Sequence, residues 1–336
     1  MGAMATSPSA PSRARGRLLA LLLFVAAPVC AEYLQAYDPE VTGKAAALVF
    51  GLVILGPLYG GPALLIREVA ARTGMHWTGI LALAGAFGVV QAGVVDQSLF
   101  ATSYLDYADW DEMLRPTFVA PLGIGAALAL NFLVGHALWS FGAPIALAEC
   151  LDRPGPRRPW LRAPGLVTVT VLWLVAALLV WSDIRGAGSD QASAAQLAGA
   201  LVVAGVLAGV AFTVGRRPLP TPTDALVPRP LAVLGLALIA GVAFSLVPPT
   251  WLGVALGVAI LVVAAAAVTH WSRSGRWEGR HVAALAGGAV LSRALVGFVS
   301  VAQTTPRPPG GLTQNTVLLV LSLALVAAAV RGPRSG

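Results

Sequence analysis

Residues that could carry chemistry are concentrated in two apolar runs of bilayer length. Gln91, Asp96 and Gln97 fall in GILALAGAFGVVQAGVVDQSLF, and Asn131, His136 and Glu149 in LNFLVGHALWSFGAPIALAE. Amides, a carboxylate and an imidazole are costly in hydrocarbon unless they face protein, water or a ligand, so each is a candidate site residue. A third run places Arg293 after Ser292 near its middle. An arginine there costs at least ~2.5–3.5 kcal/mol on insertion scales, and a guanidinium keeps its proton at physiological pH. It must therefore find a partner. Asp96 is the expected one, with Gln91 and Glu32 (in AEYLQAY) as the other candidates.

Depth and helical phase arrange these groups further. Gln91 lies about 20 Å above the inner end of its span at ~1.5 Å per residue, with Asp96 nearer the outer surface. Five residues apart, these two differ by roughly 140° around an α-helix and would not share one narrow face. Asn131 runs in the opposite direction at a similar depth, which makes it the expected hydrogen-bond partner of Gln91. His136 has Ser140 one turn further on, and Glu149 emerges at the inner interface beside Arg153. Asp96 and His136 form the only obvious titratable pair for a proton-coupled carrier. Arg67, Glu68, Trp77 and Trp160 read as interfacial residues, the tryptophans as belt anchors. The sequence has no Walker loop, no H-E-x-x-H, no G-x-S-x-G and no pair of C-x-x-C units. Cys30 and Cys150 end different apolar runs, on opposite expected sides. No catalytic residue, metal site or cofactor is expected.

The elements that must hold these side chains are membrane spans. The chain is 57% hydrophobic and only 11% charged, with a mean hydropathy of +0.79, where soluble chains carry roughly 25% charged residues. Apolar runs suited to a ~30 Å hydrocarbon core fall near 18–36, 45–66, 78–100, 117–148, 165–182, 195–214, 231–248, 251–270, 281–303 and 314–331. The first is expected to be an uncleaved span, and the fourth to be kinked or interfacial around Pro121 and Pro144. An all-α polytopic bundle of about ten spans follows. Residues 1–17 are expected to be a disordered cytoplasmic tail, 18–164 a polar-residue-bearing core, 165–331 an Ala/Val/Leu-rich bundle and 332–336 a cytoplasmic tail. With both termini inside, seventeen of the twenty-two basic residues fall in inner loops, the bias that orients multi-span proteins. Arginines distributed in this way mark topology and not nucleic-acid binding.

Five segments carry a resemblance: AEYL at 31–34, GPLYGGPALLIREVA at 56–70, FGVVQAGVVDQSLF at 87–100, HALWSFGAPIALAE at 136–149 and PWLRAPGL at 159–166. Together they resemble a family of uncharacterised polytopic bacterial membrane proteins that often show Glu-Glu-Gly-Leu where this chain has Gln91-Ala92-Gly93-Val94. That pattern is in turn similar to the CAAX-processing and bacteriocin-processing type of intramembrane metalloprotease. Those proteins carry Glu-Glu-x-x-x-Arg, Phe-x-x-x-His and His-x-x-x-Asn around a metal-activated water. Phe132 and His136 match the second motif, whereas Gln91, Ala92 and Asp96 replace the defining residues of the first and the third is missing. The resemblance thus implies a protease-like frame without its general base.

The sequence points to a multi-pass protein of the bacterial inner membrane that binds, scaffolds or assists rather than catalyses. Its candidate binding cluster is Gln91, Asp96, Gln97, Asn131, His136 and Arg293. A small-solute or lipid transporter is the alternative, and an active metalloprotease the third reading. Its surroundings are lipid, with a membrane-protein partner or small ligand in addition. Cysteines introduced at Asp109 and at Arg276 test the orientation. The first should react with an impermeant thiol reagent in intact cells and the second should not; labelling at 276 from outside would reverse the topology.

Overall fold

The computed structural model describes residues 13–332 apart from 106, 108, 153, 154 and 188–190. Among them, nine helices are long and apolar enough to cross a membrane. These are α1 (Ala14–Tyr33), α2 (Ala45–Thr73), α3 (Trp77–Val95), α4 (Ala126–Cys150), α5 (Ala163–Gly186), α6 (Ala194–Arg216), α8 (Trp251–Ser272), α9 (Gly279–Gln303) and α10 (Gly311–Arg331). A shorter apolar helix, α7 (Pro230–Ser245), completes the expected order. The protein is an all-α polytopic bundle.

Two expectations need correction at the ends of elements. Residues 13–17, expected in the N-terminal tail, are helical, because Arg15 reaches the Leu151 carbonyl and pairs with Asp152 at 3.8 Å. The expected tails at 1–12 and 333–336 lie outside the described residues. The long fourth run is not helical throughout. It opens with a hairpin of β1 (Phe118–Val119) and β2 (Ile124–Gly125), registered Phe118 to Gly125 and Val119 to Ile124. Pro121 and the left-handed Gly123 (φ 65°) lie in its turn, where proline and glycine suit the backbone.

The two halves of the chain interleave. Helix α9 is the most enclosed span, with 67% of its most apolar stretch buried against 11% for α5 and for α8, which face lipid. It packs on α7, α10 and the C-terminal part of α4, while α6 packs on α3. At the α7–α9 crossing a Cβ on Gly288 would sit 2.4 Å from the Leu234 carbonyl oxygen. Only glycine permits that approach, as small residues do where membrane helices meet closely.

At the arginine-rich end, residues expected to anchor at the interface are instead buried in an ion network. Arg67 and Glu68 are 1% and 0% exposed and pair at 2.8 Å. Glu68 also pairs with Arg72 and accepts from the backbone N–H groups of Trp160 (2.7 Å) and Leu161 (3.3 Å). The Arg67 guanidinium lies 3.7 Å from the centre of the Trp160 ring, and Arg157 sits over Trp77. Glu149, expected to be an exposed interfacial acid, takes both oxygens to Arg157 at 2.7 and 2.8 Å and approaches Arg67 at 3.5 Å. Its expected neighbour Arg153 lies outside the described residues. Two carboxylates thus hold three arginines and two loop N–H groups, which binds the loop before α5 to the ends of α2 and α4.

Breaking a buried pair from one side costs about 3–5 kcal/mol, whereas an exposed pair contributes under about 1 kcal/mol. Glu68→Gln should therefore lower unfolding stability in mixed micelles by several kcal/mol. Lys44→Ala, which breaks the exposed Lys44–Glu40 pair, should be close to neutral. Equal effects would show that the network does not fasten the bundle.

Candidate functional site

Four consecutive spans leave the α-helical register for one stretch each. π-helix runs over Val29–Tyr33 in α1, Gly56–Gly60 in α2, Gln91–Val95 at the end of α3 and Gly135–Gly142 in α4. The wider i→i+5 turn is rare and concentrates at functional sites. Three of the four lie beside proline: Pro28 before the first, Pro57 and Pro62 at the second, Pro144 after the last. Proline lacks an N–H and displaces the carbonyl four residues earlier, so the wider turn relieves a clash that the α register would keep. These stretches carry Glu32, Tyr59, Gln91 and His136, with Asp96 capping the third.

The π turn overturns one expectation about phase. The Asp96 N–H donates to the Gln91 carbonyl at 3.0 Å, which stacks residues five apart instead of spreading them. Gln91 Nε2 consequently donates to Asp96 Oδ2 at 3.1 Å, and the Ser98 N–H donates to Asp96 Oδ1 at 2.9 Å. Gln91 is buried and has its partner on its own helix rather than in Asn131.

The other acid is Glu32, which accepts from the hydroxyls of Tyr37 and Tyr59 and lies within electrostatic reach of Asp96. Tyr59 stacks on His136 with ring centroids 5.9 Å apart and planes 27° from parallel. His136 Nδ1 lies 3.3 Å from Ser140 Oγ, the partner expected for it. The α3–α4 approach that seats the imidazole needs Gly88, since a Cβ there would sit 2.8 Å from His136 Cβ.

Arg293 faces the protein interior, as expected, and is 4% exposed. It does not pair with Asp96. Its guanidinium packs on the Trp139 ring of α4, 4.1 Å from the ring centre, and among the described residues it makes no ion pair or hydrogen bond. Glu32 is the carboxylate whose charge it feels. Trp139 also donates its indole N–H to the Ala289 carbonyl of α9 at 2.8 Å, so one side chain fixes both the helix and the cation. A desolvated cation–π contact is worth about 2 kcal/mol, comparable to the insertion cost of the arginine.

A cavity of about 190 Å³ opens beside Arg293, lined in part by Gln35, Asn131, Phe244 and Pro248. Asn131, exposed rather than paired across α3 and α4, belongs to this cavity. Gln97 is buried away from the cluster, with its side-chain carbonyl accepting from the Ala192 N–H at 2.8 Å. Over the cluster lies an aromatic layer: Tyr104 stacks on Trp110 at 4.8 Å, and Trp110 on Phe132 at 6.1 Å. Burial, then the charges of Asp96 and Glu32, hold the Tyr104 phenol well above its usual range, and burial pushes Tyr107 up to about 12. Both stay protonated. No three His, Cys, Asp or Glu side chains gather as a metal-ligand set among the described residues.

A family model described as an uncharacterised membrane protein family matches residues 21–333. The chain belongs to that family. No curated protein and no solved structure matches it. The matched range covers nearly the whole chain, including α9 and Arg293. It lends no support to the metalloprotease resemblance.

Tyr37, Tyr59 and Trp139 were not singled out by the sequence, although Tyr59 lies within GPLYGG between two prolines. Because Arg293 and Asp96 are unpaired, Arg293→Leu and Asp96→Asn should add within about 0.5 kcal/mol in a double-mutant cycle. Gln91→Leu with Asp96→Asn should not. Coupling of Arg293 to Asp96 above 1 kcal/mol would contradict the arrangement described.

Proposed function

We propose that this is a non-enzymatic, membrane-embedded binding protein of the bacterial inner membrane. Its site is the cluster of Glu32, Tyr59, Gln91, Asp96, His136 and Arg293. One observation carries the reading: the polar side chains converge from five helices, and four of those helices give up the α register where they meet. Such local departures are unfavourable for the backbone and persist where the position of a side chain matters. A frame needing only stability would place apolar residues there, since well-packed hydrophobic replacements for buried charges are often neutral or stabilising by about 1–4 kcal/mol.

Transport of a small solute or lipid through the same cluster is the second reading. The cavity beside Arg293 favours it, because that cavity meets the turn between α7 and α8 at Pro248 and Pro249, at the end that the charge bias assigns to the outside. The metalloprotease reading would need carboxylates where Gln91 and Ala92 stand.

A ligand site need not be optimal for stability, and substitutions within one commonly stabilise at the expense of function. Arg293→Met should therefore leave the melting temperature of the purified protein unchanged or raised, and His136→Leu likewise. A loss of several kcal/mol in both would make the cluster a structural element and remove the binding reading. Counterflow in proteoliposomes, with whichever solute stabilises the protein, separates carrier from binder.

A further inference from the structure

We propose that Arg293 seats the anionic group of a ligand, a carboxylate or a phosphate, that enters the cavity between α4, α7 and α8. The inference rests on the binding reading above and names the chemistry of its ligand.

The charges of the cluster are unequally served. Glu32 accepts from two tyrosine hydroxyls, and Asp96 from an amide and a backbone N–H. Arg293 has an aromatic face and a neighbouring acid but, among the described residues, no acceptor for its N–H donors. A guanidinium presents five donors in a planar fork suited to two oxygens of one anion, and a cation–π contact uses none of them. A nine-tenths buried guanidinium with unused donors therefore has capacity for an oxyanion.

The surroundings leave room for one. The cavity of about 190 Å³ touches Arg293 itself and is well above the ~15 Å³ that a single water requires. Asn131 of α4 and Gln35 after α1 line it and can add amide donors. Gly135, one turn from Asn131, lies beside the guanidinium, where a Cβ would be in ordinary contact 3.5 Å from Arg293 Nη2. Phe244 and the Pro248–Pro249 turn form an apolar wall that suits the carbon skeleton of an amphiphile. Glu32 opposes a second negative charge nearby, so removing its charge should tighten binding.

The protein is placed in nanodiscs of zwitterionic lipid, and melting is followed against inorganic phosphate, acetate and tetramethylammonium. A second set of discs contains phosphatidylglycerol. Phosphate or acetate should raise the melting temperature saturably if the ligand is a free solute; only the phosphatidylglycerol discs should do so if it is a lipid headgroup. In either case Arg293→Gln should abolish the shift, Arg293→Lys should keep a weaker one, and Glu32→Gln should strengthen it several-fold. Asn131→Phe, at an exposed position, should weaken it by filling the cavity with Arg293 intact. An anion shift unchanged in both Arg293→Gln and Asn131→Phe overturns the inference. A shift given by tetramethylammonium alone and lost in Glu32→Gln also overturns it, while leaving the binding reading in place. No shift with any probe in either disc removes both.

Discussion

The backbone hydrogen bond from residue i to i+5 decides where the polar groups of this protein stand. In an ordinary α-helix Gln91 and Asp96 would point to different sides of α3; with the Asp96 N–H bonded to the Gln91 carbonyl they meet. The same change of register occurs in α1, α2 and α4, so Glu32, Tyr59 and His136 are aimed by backbone geometry before any ligand is considered. Proline accounts for three of these turns. Glycine at 88 then allows α3 and α4 to close until His136 and Tyr59 stack.

The spans and their order were legible because lipid demands about twenty apolar residues for each crossing, and Arg293 announced its inward position by its cost in hydrocarbon. The partners were less legible. Helical phase calculated at 100° per residue separated Gln91 from Asp96, because a π turn leaves no periodic signature in an all-apolar run, and depth alone then sent Gln91 to Asn131. The run at 117–148 read as a long span, kinked or interfacial at its ends, but the hairpin itself left no signal, since Phe118, Val119 and Ile124 are as apolar in a hairpin as in a span. Arg67 and Glu149 looked interfacial from their depth alone, and their burial depends on a loop about ninety residues beyond Arg67 folding back over them.

Trp139 shows how this protein accommodates a charge without neutralising it. Its ring covers one face of the Arg293 guanidinium, and its N–H holds the carbonyl of Ala289 one turn earlier on α9. The cation is fixed in position while its donors remain unspent. That differs from the arginine-rich network, where each arginine has a carboxylate beside it, although Arg67 Nε is left without a hydrogen-bond partner.

The same network also bears on biogenesis. Every residue in it, from Arg15 to Leu161, precedes α5 in the chain. Spans α1 to α4 can therefore latch at their arginine-rich ends before the last spans are made, and the seat made by Trp139 can exist before Arg293 is translated. Helix α9 would then enter the bilayer carrying a charge that lipid rejects and α4 accepts. That difference in free energy gives a late helix a direction to move, inward to the centre of the bundle, ahead of the closer packing that α7 and α10 complete around it.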